Sequence, residues 1–271
     1  MKRLVKLVLI ASLFSSSTVF ADALQDAVQS DSRSSAERAR DEYRHPQQTL
    51  RFFDVQPTMT VVEILPGGGW YSNILAPLLK DNGQYYAAHF FVEDSSPGYY
   101  PKLVDAFKQK MATDANFKNV KLTAFHPIKA LDIAPASSVD RVLTFRNVHN
   151  WYMQDGQQGV DNAFASFFKA LKPGGVLGVV EHSLPESYDD EFQKKSGYMK
   201  QSFVKAAAEK AGFILIASSD VNANPLDSAK HEKGVWTLPP SLALKEQDQA
   251  NYLAIGESNR MTLKFIKPTT K

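Results

Sequence analysis

The stretch Glu63-Ile64-Leu65-Pro66-Gly67-Gly68-Gly69-Trp70-Tyr71 decides the fold. It completes an apolar, β-branched run from Thr58 to Leu65, which predicts a buried strand. The three glycines predict a turn in which the backbone can approach a ligand, and a helix is expected over 70–80. An acid inside a strand, followed by glycines that open a helix, indicates a ligand-binding edge of an α/β sheet. A tight turn without any ligand is the alternative interpretation.

Strands and amphipathic helices alternate along the rest of the chain. The predicted strands cover 84–90, 120–125, 141–145, 176–181, 213–218 and 261–266, and the predicted helices cover 101–112, 158–171 and 197–211. This alternation predicts an α/β fold in which helices cover both faces of a mostly parallel, seven-stranded sheet. The polar segment 220–258 is expected to be a long loop between the last two strands, of a length that usually lines or covers a site.

The N-terminus has the pattern of a cleavable secretory signal. Lys2, Arg3 and Lys6 precede a short apolar run, and small residues end at Ala21. We expect a signal peptide over 1–21, with Ala23 as the second choice of cleavage position and a membrane anchor as the alternative. The protein is therefore predicted to be periplasmic or secreted, without stable membrane insertion after cleavage.

Composition excludes several classes of protein. The 271 residues hold 31 Lys and Arg against 29 Asp and Glu, and loss of the signal would leave 28 against 29. Without a basic stripe interleaved with aromatics, no nucleic-acid partner is expected. The chain has no cysteine, and its six histidines lack ligand-like spacing, so no metal site is predicted. The sequence also lacks the nucleophile elbow of hydrolases and the third glycine of a nicotinamide-binding turn.

A helical cap is expected before the first strand. Ser34 and Glu37 have capping-box spacing, which predicts a helix over 35–44, and Pro46 opens another short helix. We divide the chain into the signal peptide, an N-terminal helical cap over 22–47 and one main domain over 48–271.

Residues 48–268 resemble the class I S-adenosylmethionine (SAM)-dependent methyltransferases. The resemblance rests on the glycine turn after the first strand, on Leu171-Lys172-Pro173-Gly174-Gly175 before the fifth, and on the final order of helix, strand, loop and strand. It implies a Rossmann-like sheet with an antiparallel last strand. The chain is most similar to a group of predicted exported methyltransferase-like proteins, through Tyr43-Arg44-His45-Pro46, Pro66-Gly67-Gly68-Gly69-Trp70-Tyr71 and Phe145-Arg146-Asn147-Val148-His149-Asn150-Trp151.

The resemblance implies SAM as cofactor and a set of residues that would bind it. These are Glu63, Pro66, Gly67, Gly68, Gly69, Tyr71, His89, His126 and Arg146. The sequence departs from the family at three of its positions. Leu65 stands at the first glycine, His89 at the acid that binds the ribose hydroxyls, and His126 at the acid that often reads adenine. A neutral imidazole still bonds a hydroxyl, with one acceptor atom instead of two carboxylate oxygens.

The family places acceptor-facing groups after the fourth strand, where this chain has a cation, two amides and an imidazole. We expect His149, Asn147 and Arg146 to be catalytic, with His149 taking the proton of a hydroxyl or amine acceptor. Tyr43, His45, Asn150, Trp151 and His182 are the predicted acceptor-binding residues. The alternatives are that the asparagines cap the next turn, that His149 is structural and that the cap is a solvated helix.

Two functions are compatible with these residues. The first is a SAM-dependent methyltransferase that acts on a small-molecule acceptor. The second is a non-catalytic periplasmic protein that reuses the fold to bind a small ligand, since SAM is made in the cytoplasm and fold alone does not fix function.

Overall fold

The computed structural model describes residues 23–269, so the predicted signal peptide lies outside the described residues. Within that range, no helix is both long and apolar enough to cross a membrane.

The strands and helices alternate as the sequence predicts. The strands are β1 (Thr60–Ile64), β2 (Gln84–Phe90), β3 (Lys121–Phe125), β4 (Val139–Phe145), β5 (Leu171–Leu184), β6 (Met199–Lys200), β7 (Ile214–Ser219) and β8 (Arg260–Ile266). The helices are α1 (23–28), α2 (Ser35–Arg38), α3 (Asp41–Arg44), α4 (Pro46–Phe52), α5 (Ser72–Leu79), α6 (Tyr99–Thr113), α7 (Val148–Ala170), α8 (Asp190–Ser196), α9 (Gln201–Lys210) and α10 (Gln249–Ile255).

The long strands form one sheet in the order β3-β2-β1-β4-β5-β8-β7. The first five are mutually parallel, whereas β8 runs antiparallel to both β5 and β7. The two-residue β6 pairs with the end of β5. This topology confirms the predicted fold class. Strand order reverses at β1 and β4, and the carboxyl ends of strands at such a point are where α/β sheets bind ligands.

Helices cover both faces of the sheet. On one face α7 and α9 bury Phe164, Phe167 and Val204 against the strands, and on the other α5 and α6 bury Ile74 and Phe107. With no disulfide in the protein, this two-sided apolar core is the main source of its stability.

Local bounds differ from the prediction in several places. Strand β5 begins at Leu171 instead of 176, and α9 begins at Gln201, after the two-residue β6, instead of at 197. The expected helix 35–44 is two short helices, although the predicted capping box of Ser34 and Glu37 is present. Helix α7 begins at Val148 instead of 158. Gly156 takes a non-helical conformation within it, and so the segment is continuous but kinked. The 220–258 segment is not wholly loop, since it contains a 3₁₀ turn (Gly234–Thr237) and α10.

The N-terminal cap is fixed to the glycine turn through Trp70. The indole ring lies between two guanidinium groups, 4.8 Å from that of Arg33 and 4.7 Å from that of Arg44, and its N–H donates to the Glu37 carbonyl. Desolvated arginine–tryptophan contacts of this kind contribute about 1–2 kcal/mol each. The cap is thereby held against the end of the sheet where the site lies.

Candidate functional site

A cavity of about 480 Å³ opens at the carboxyl ends of β1 and β4. The strand ends form its floor, the cap forms one wall, and the 220–258 segment forms another. Its size is within the range of small-molecule sites. The cap contributes Glu37, Arg40 and Arg44, and the 220–258 segment contributes Val235, Trp236, Pro239, Pro240, Ser241, Glu257 and Ser258. The expectation that this segment covers a site therefore agrees with the structure.

Most of the predicted site residues line this one cavity. They are Glu63, Pro66, Gly67, Gly68, Tyr71, Arg146, Asn147, His149, Asn150 and His182. Gly69 belongs to the same turn but does not line the cavity, and it has a φ of 82°. Residues almost 120 positions apart in the chain thus meet at the reversal of strand order.

His89 does not line the cavity. It is buried beneath the glycine turn, where its Nε2 lies 3.2 Å from the Gly67 carbonyl oxygen and its Nδ1 accepts the Phe90 N–H. Burial lowers its pKa to about 4, so the ring is neutral and Nε2 carries the proton. Both nitrogens are occupied, and His89 supports the turn in this structure.

His126 and Trp151 line a smaller cavity next to the first. It has a volume of about 60 Å³ and shares Leu65, Phe90, Asn147 and Asn150 with the large cavity. Trp151 packs in the core against Phe125, and its buried Nε1 has no partner among the described residues. Neither residue is placed to wall the large cavity.

Tyr43 and His45 also lie outside the cavity lining. The Tyr43 ring packs beside Gly256, and its carbonyl accepts from Arg260 Nη2 at 2.6 Å. His45 joins α3 to α4 with a φ of 40°. From the same segment it is Arg44 that reaches the cavity.

Glu63 is a buried acid with one oxygen held and one available. Its Oε2 accepts from the Tyr85 hydroxyl at 2.5 Å and the Ser72 hydroxyl at 2.8 Å, whereas Oε1 has no partner in residues 23–269. Burial raises the pKa of this carboxyl to about 7. A cationic ligand group in the cavity would favour its ionised form.

The glycine turn leaves open space above its backbone. A Cβ added at Gly67 or Gly68 would meet no atom within 4 Å, so the absence of side chains there is not required by packing. Gly67 has a φ of 58°, which favours glycine, but Gly68 has ordinary backbone geometry. A side chain at Gly68 would therefore leave the turn unstrained and would affect only a ligand bound above it.

His149 and Glu181 form a buried acid–imidazole pair. His149 Nδ1 lies 2.9 Å from Glu181 Oε1, which also accepts the His182 N–H. Glu181 Oε2 accepts the N–H groups of Val148 and His149, and so caps the N-terminus of α7. With Nδ1–H donated to the carboxylate, Nε2 is left as the acceptor, and it has no hydrogen-bond partner within the described chain.

Asn147 has a structural bond that the sequence did not reveal. It occupies the N-cap position of α7, but its side chain does not cap that helix. Its Nδ2 instead donates to the Ile64 carbonyl at 2.9 Å and to the Thr144 hydroxyl at 3.2 Å, and so ties β1 to β4.

His182 completes a group with His149 and Glu181 whose ligand-type atoms lie within 4.8 Å of one another. Burial, together with the neighbouring His149, holds the pKa of His182 well below its ordinary value. Its Nδ1 lies 2.5 Å from the Ser258 hydroxyl oxygen. Because both Glu181 oxygens already accept two hydrogen bonds each, we interpret the group as an acid–imidazole pair with a neighbour. The absence of a metal stays a prediction.

Three arginines beside the cavity share one carboxylate. Arg40, Arg44 and Arg260 converge on the carboxylate of Glu257, with N–O distances of 2.6, 3.1 and 3.1 Å. The arginines hold the pKa of Glu257 at about 2 despite its burial. Burial lowers the pKa of Arg44 to about 9, because the cluster is largely removed from water.

Sequence reasoning missed Arg40, Glu257 and Trp236 as site residues, and it placed Glu181 at the same edge of the sheet as His182 without giving it a role. Glu181 carries a signal for such a role, since it is an acid that follows the apolar run 176–180 within β5. Arg40 and Arg44 have helical i, i+4 spacing, which indicates a shared direction. Glu257 and Trp236 carry no such signal, because they reach the cavity only through the path of the 220–258 segment.

Comparison with known proteins identifies the fold of the chain. No protein-family model matches the sequence, and no curated protein matches it either. Among solved structures, the chain is similar to the (4+2)-cyclase SpnF, with a TM-score of 0.59 and 15% identity over 94% of this chain and 96% of that one. It is also similar to a SAM-dependent methyltransferase from Aquifex aeolicus, with a TM-score of 0.51 and 17% identity over 74% and 93% of the two chains.

A third similar structure is a possible exported protein from Bordetella parapertussis, with a TM-score of 0.51 and 14% identity over 92% of this chain and 80% of that one. At these identities the likenesses show a shared fold, that of the class I SAM-dependent methyltransferases. The resemblance inferred from the sequence is confirmed at the level of the fold.

Proposed function

We propose that the protein is an exported SAM-dependent methyltransferase that acts on a small-molecule acceptor. One observation carries the proposal: a single cavity brings together an open glycine turn, a buried acid with an available oxygen, and an imidazole oriented by a carboxylate. These are the groups that would hold a cofactor and prepare an acceptor for transfer.

The methionine end of SAM fits the glycine turn and Glu63. The space above Gly67 and Gly68 admits a ligand close to the backbone. Glu63 Oε1, which has no partner in residues 23–269, is available to the amino group of SAM. Tyr71 stacks on Phe145 at a centroid distance of 3.6 Å and closes the adjoining wall. We assign no ribose contact to His89, because both of its nitrogens are occupied. His126 remains a proposed contact for the adenine end.

SAM would supply an electrophilic methyl group, and the protein would align the acceptor and remove its proton. His149 Nε2 would accept that proton. Glu181 would hold the ring in the required tautomer and stabilise the imidazolium, as a carboxylate does behind other catalytic histidines. Asn150 and His182 would contact the acceptor, and the 220–258 segment would exclude water.

The export part of the proposal rests on the N-terminal sequence. The charged, apolar and small-residue regions over 1–21 are those of a cleavable signal, and a protein of similar fold is itself described as a possible exported protein. Mass spectrometry of the protein recovered from the periplasm tests this. A chain that begins at Asp22 supports the proposal, and a chain that retains Lys2 refutes it.

Isothermal titration with SAM and with its demethylated product tests the cofactor. We expect micromolar binding that Gly68→Ala weakens at least tenfold without lowering the melting temperature, because the new Cβ meets only the ligand. Gly98→Ala is the matched control, since its Cβ also meets nothing within 4 Å but lies outside the cavity. Absence of heat and of thermal shift at millimolar SAM would refute the methyltransferase assignment.

A non-catalytic ligand-binding protein is the second candidate. It is favoured by the position of His89, which leaves the end of β2 without the carboxylate that usually binds ribose. The similar fold of SpnF, which is described as a cyclase and not as a methyltransferase, is consistent with the rule that fold alone does not fix function. Binding of a small molecule in the same cavity without any SAM binding would support this candidate.

A further inference from the structure

The arginines at the cavity differ in how their charge is compensated. Arg40, Arg44 and Arg260 share one carboxylate, that of Glu257. Arg146 has no hydrogen bond or ion pair to its guanidinium anywhere in residues 23–269, yet it is partly buried and lines the cavity. Burial lowers its pKa to about 10, which still leaves it charged at neutral pH.

The backbone at Arg146 has a strained conformation, and this conformation fixes the position from which the side chain extends. Its φ of 62° lies in the left-handed region, which costs a non-glycine residue about 1–2 kcal/mol. The Arg146 N–H donates to the Val180 carbonyl at 2.7 Å, and this bond holds the conformation at the end of β4. Strain of this kind persists where surrounding structure enforces it, often at functional sites.

None of the described acids at the cavity forms an ion pair with Arg146. Glu37 is engaged by Asn73 and by its capping box, Glu257 is shared among three arginines, and Glu63 has a pKa raised to about 7. The described lining holds three arginines, Arg40, Arg44 and Arg146, against these three acids, so its formal charges balance when all are ionised, but none of the three carboxylates forms an ion pair with Arg146. SAM carries one carboxylate, one ammonium and one sulfonium, so it would add a net positive charge to the cavity.

We propose that the methyl acceptor is an anion, a small carboxylate or phosphate ester, whose anionic group is bound by Arg146. The inference rests on the proposed methyltransferase function and adds the class of its substrate. An arginine fork binds such oxyanions through two parallel hydrogen bonds, and the partly buried setting strengthens them. The acceptor would thereby pair with Arg146 and offset the net positive charge that SAM brings to the cavity.

Binding of two anions and a neutral analogue tests this proposal with the purified protein. Inorganic phosphate and benzoate are titrated at constant ionic strength, with benzamide as the uncharged counterpart of benzoate. Saturable binding of both anions, but not of benzamide, is expected. Arg146→Gln should weaken both anions about tenfold or more, the range for loss of a charged hydrogen-bonding partner. Arg51→Gln removes an exposed arginine outside the cavity and should leave both affinities unchanged.

SAM is included in a second set of titrations. The acceptor anion and SAM would occupy the cavity together, so SAM should not weaken benzoate binding. Any tightening by SAM should exceed that by its demethylated product, because the sulfur of the product is uncharged. The proposal is overturned if neither anion saturates, if Arg146→Gln leaves both affinities unchanged, or if SAM competes with both anions. Competition would assign Arg146 to the SAM carboxylate. Failure of SAM itself to bind would instead refute the proposed function, whatever the anions do.

Discussion

Replacing Glu63 by glutamine should make the protein more stable at neutral pH while impairing its ligand site. Glu63 is 3% exposed, and burial raises the pKa of its carboxyl to about 7, whereas an ordinary glutamate titrates near 4.5. The folded state therefore binds a proton that the unfolded chain has released. Between these two values, stability falls as pH rises.

The size of the effect follows from the difference between the two pKa values. At about 1.4 kcal/mol per pKa unit, ionisation at position 63 costs the native state about 1 kcal/mol at pH 5 and about 3 kcal/mol at pH 7 and above. Glutamine has a similar shape, accepts from Tyr85 and Ser72, and never ionises. We expect Glu63→Gln to approach the wild-type stability near pH 4 and to exceed it by about 2–3 kcal/mol at pH 8.

Urea unfolding at four pH values between 4 and 8 measures this difference. Glu209→Gln, which changes an exposed glutamate on α9, is the control and should follow the wild type throughout. SAM titration of the same variants supplies the second readout, because loss of the available carboxylate oxygen should weaken SAM binding at least tenfold. A stability difference between Glu63→Gln and the wild type that does not change with pH would refute the reasoning.

Three further changes test other parts of the site. Glu257→Gln should lower the free energy of unfolding at pH 7 by about 3–5 kcal/mol, because three arginines lose their shared carboxylate. The pKa of Glu257 is depressed to about 2, so the carboxylate stabilises the folded state fully above its ordinary pKa of 4.5. The difference between variant and wild type in urea unfolding should therefore shrink as the pH falls below that value, and a difference that stays constant would contradict this. Glu181→Gln should reduce methyl transfer about 100-fold or more with SAM affinity retained, as measured by turnover and calorimetry; unchanged turnover would remove the acid–imidazole pair from the mechanism. Gly256→Ala should lower the melting temperature, because a Cβ there would lie 2.5 Å from the ring of Tyr43 and the glycine has a φ of 82°; an unaltered melting temperature would count against the packing of the cap on this segment.

The sequence predicted those parts of the fold that depend on local pattern. Strand β2 has the predicted bounds, 84–90, because its apolar run ends at clear turn signals. Helix α7 was predicted over 158–171 from the helical spacing of its apolar residues, whereas the chain is helical from Val148 through a kink at Gly156. The site residues that follow β1 and β4 were found because ligand sites in such sheets lie at the ends of adjacent strands.

The residues that could not be predicted depend on direction or on distant contacts. His89 was assigned to the ribose because it ends β2, but side chains alternate along a strand. It shares a face with Tyr85 and Ala87, and it therefore packs under α6, with its ring 5.3 Å from that of Phe107. The Glu257 cluster joins residues more than 200 positions apart, and its existence follows from the placement of β8 beside β5.

Backbone strain at the cavity argues that its side chains serve a ligand. Leu65 has a φ of 48° and Arg146 a φ of 62°, and the two lie at the adjacent ends of β1 and β4. Each costs about 1–2 kcal/mol relative to a residue that adopts this region freely. A turn that needed only its backbone would be better served by glycine, as Gly67 and Gly69 show in the same loop. Leucine at the first position fills space between the two cavities, which it helps to line. Arginine at the second makes no side-chain hydrogen bond in the described chain, so packing and pairing within the protein do not account for it. A bound anion does, and the strain is then the cost of holding a charge ready for its substrate.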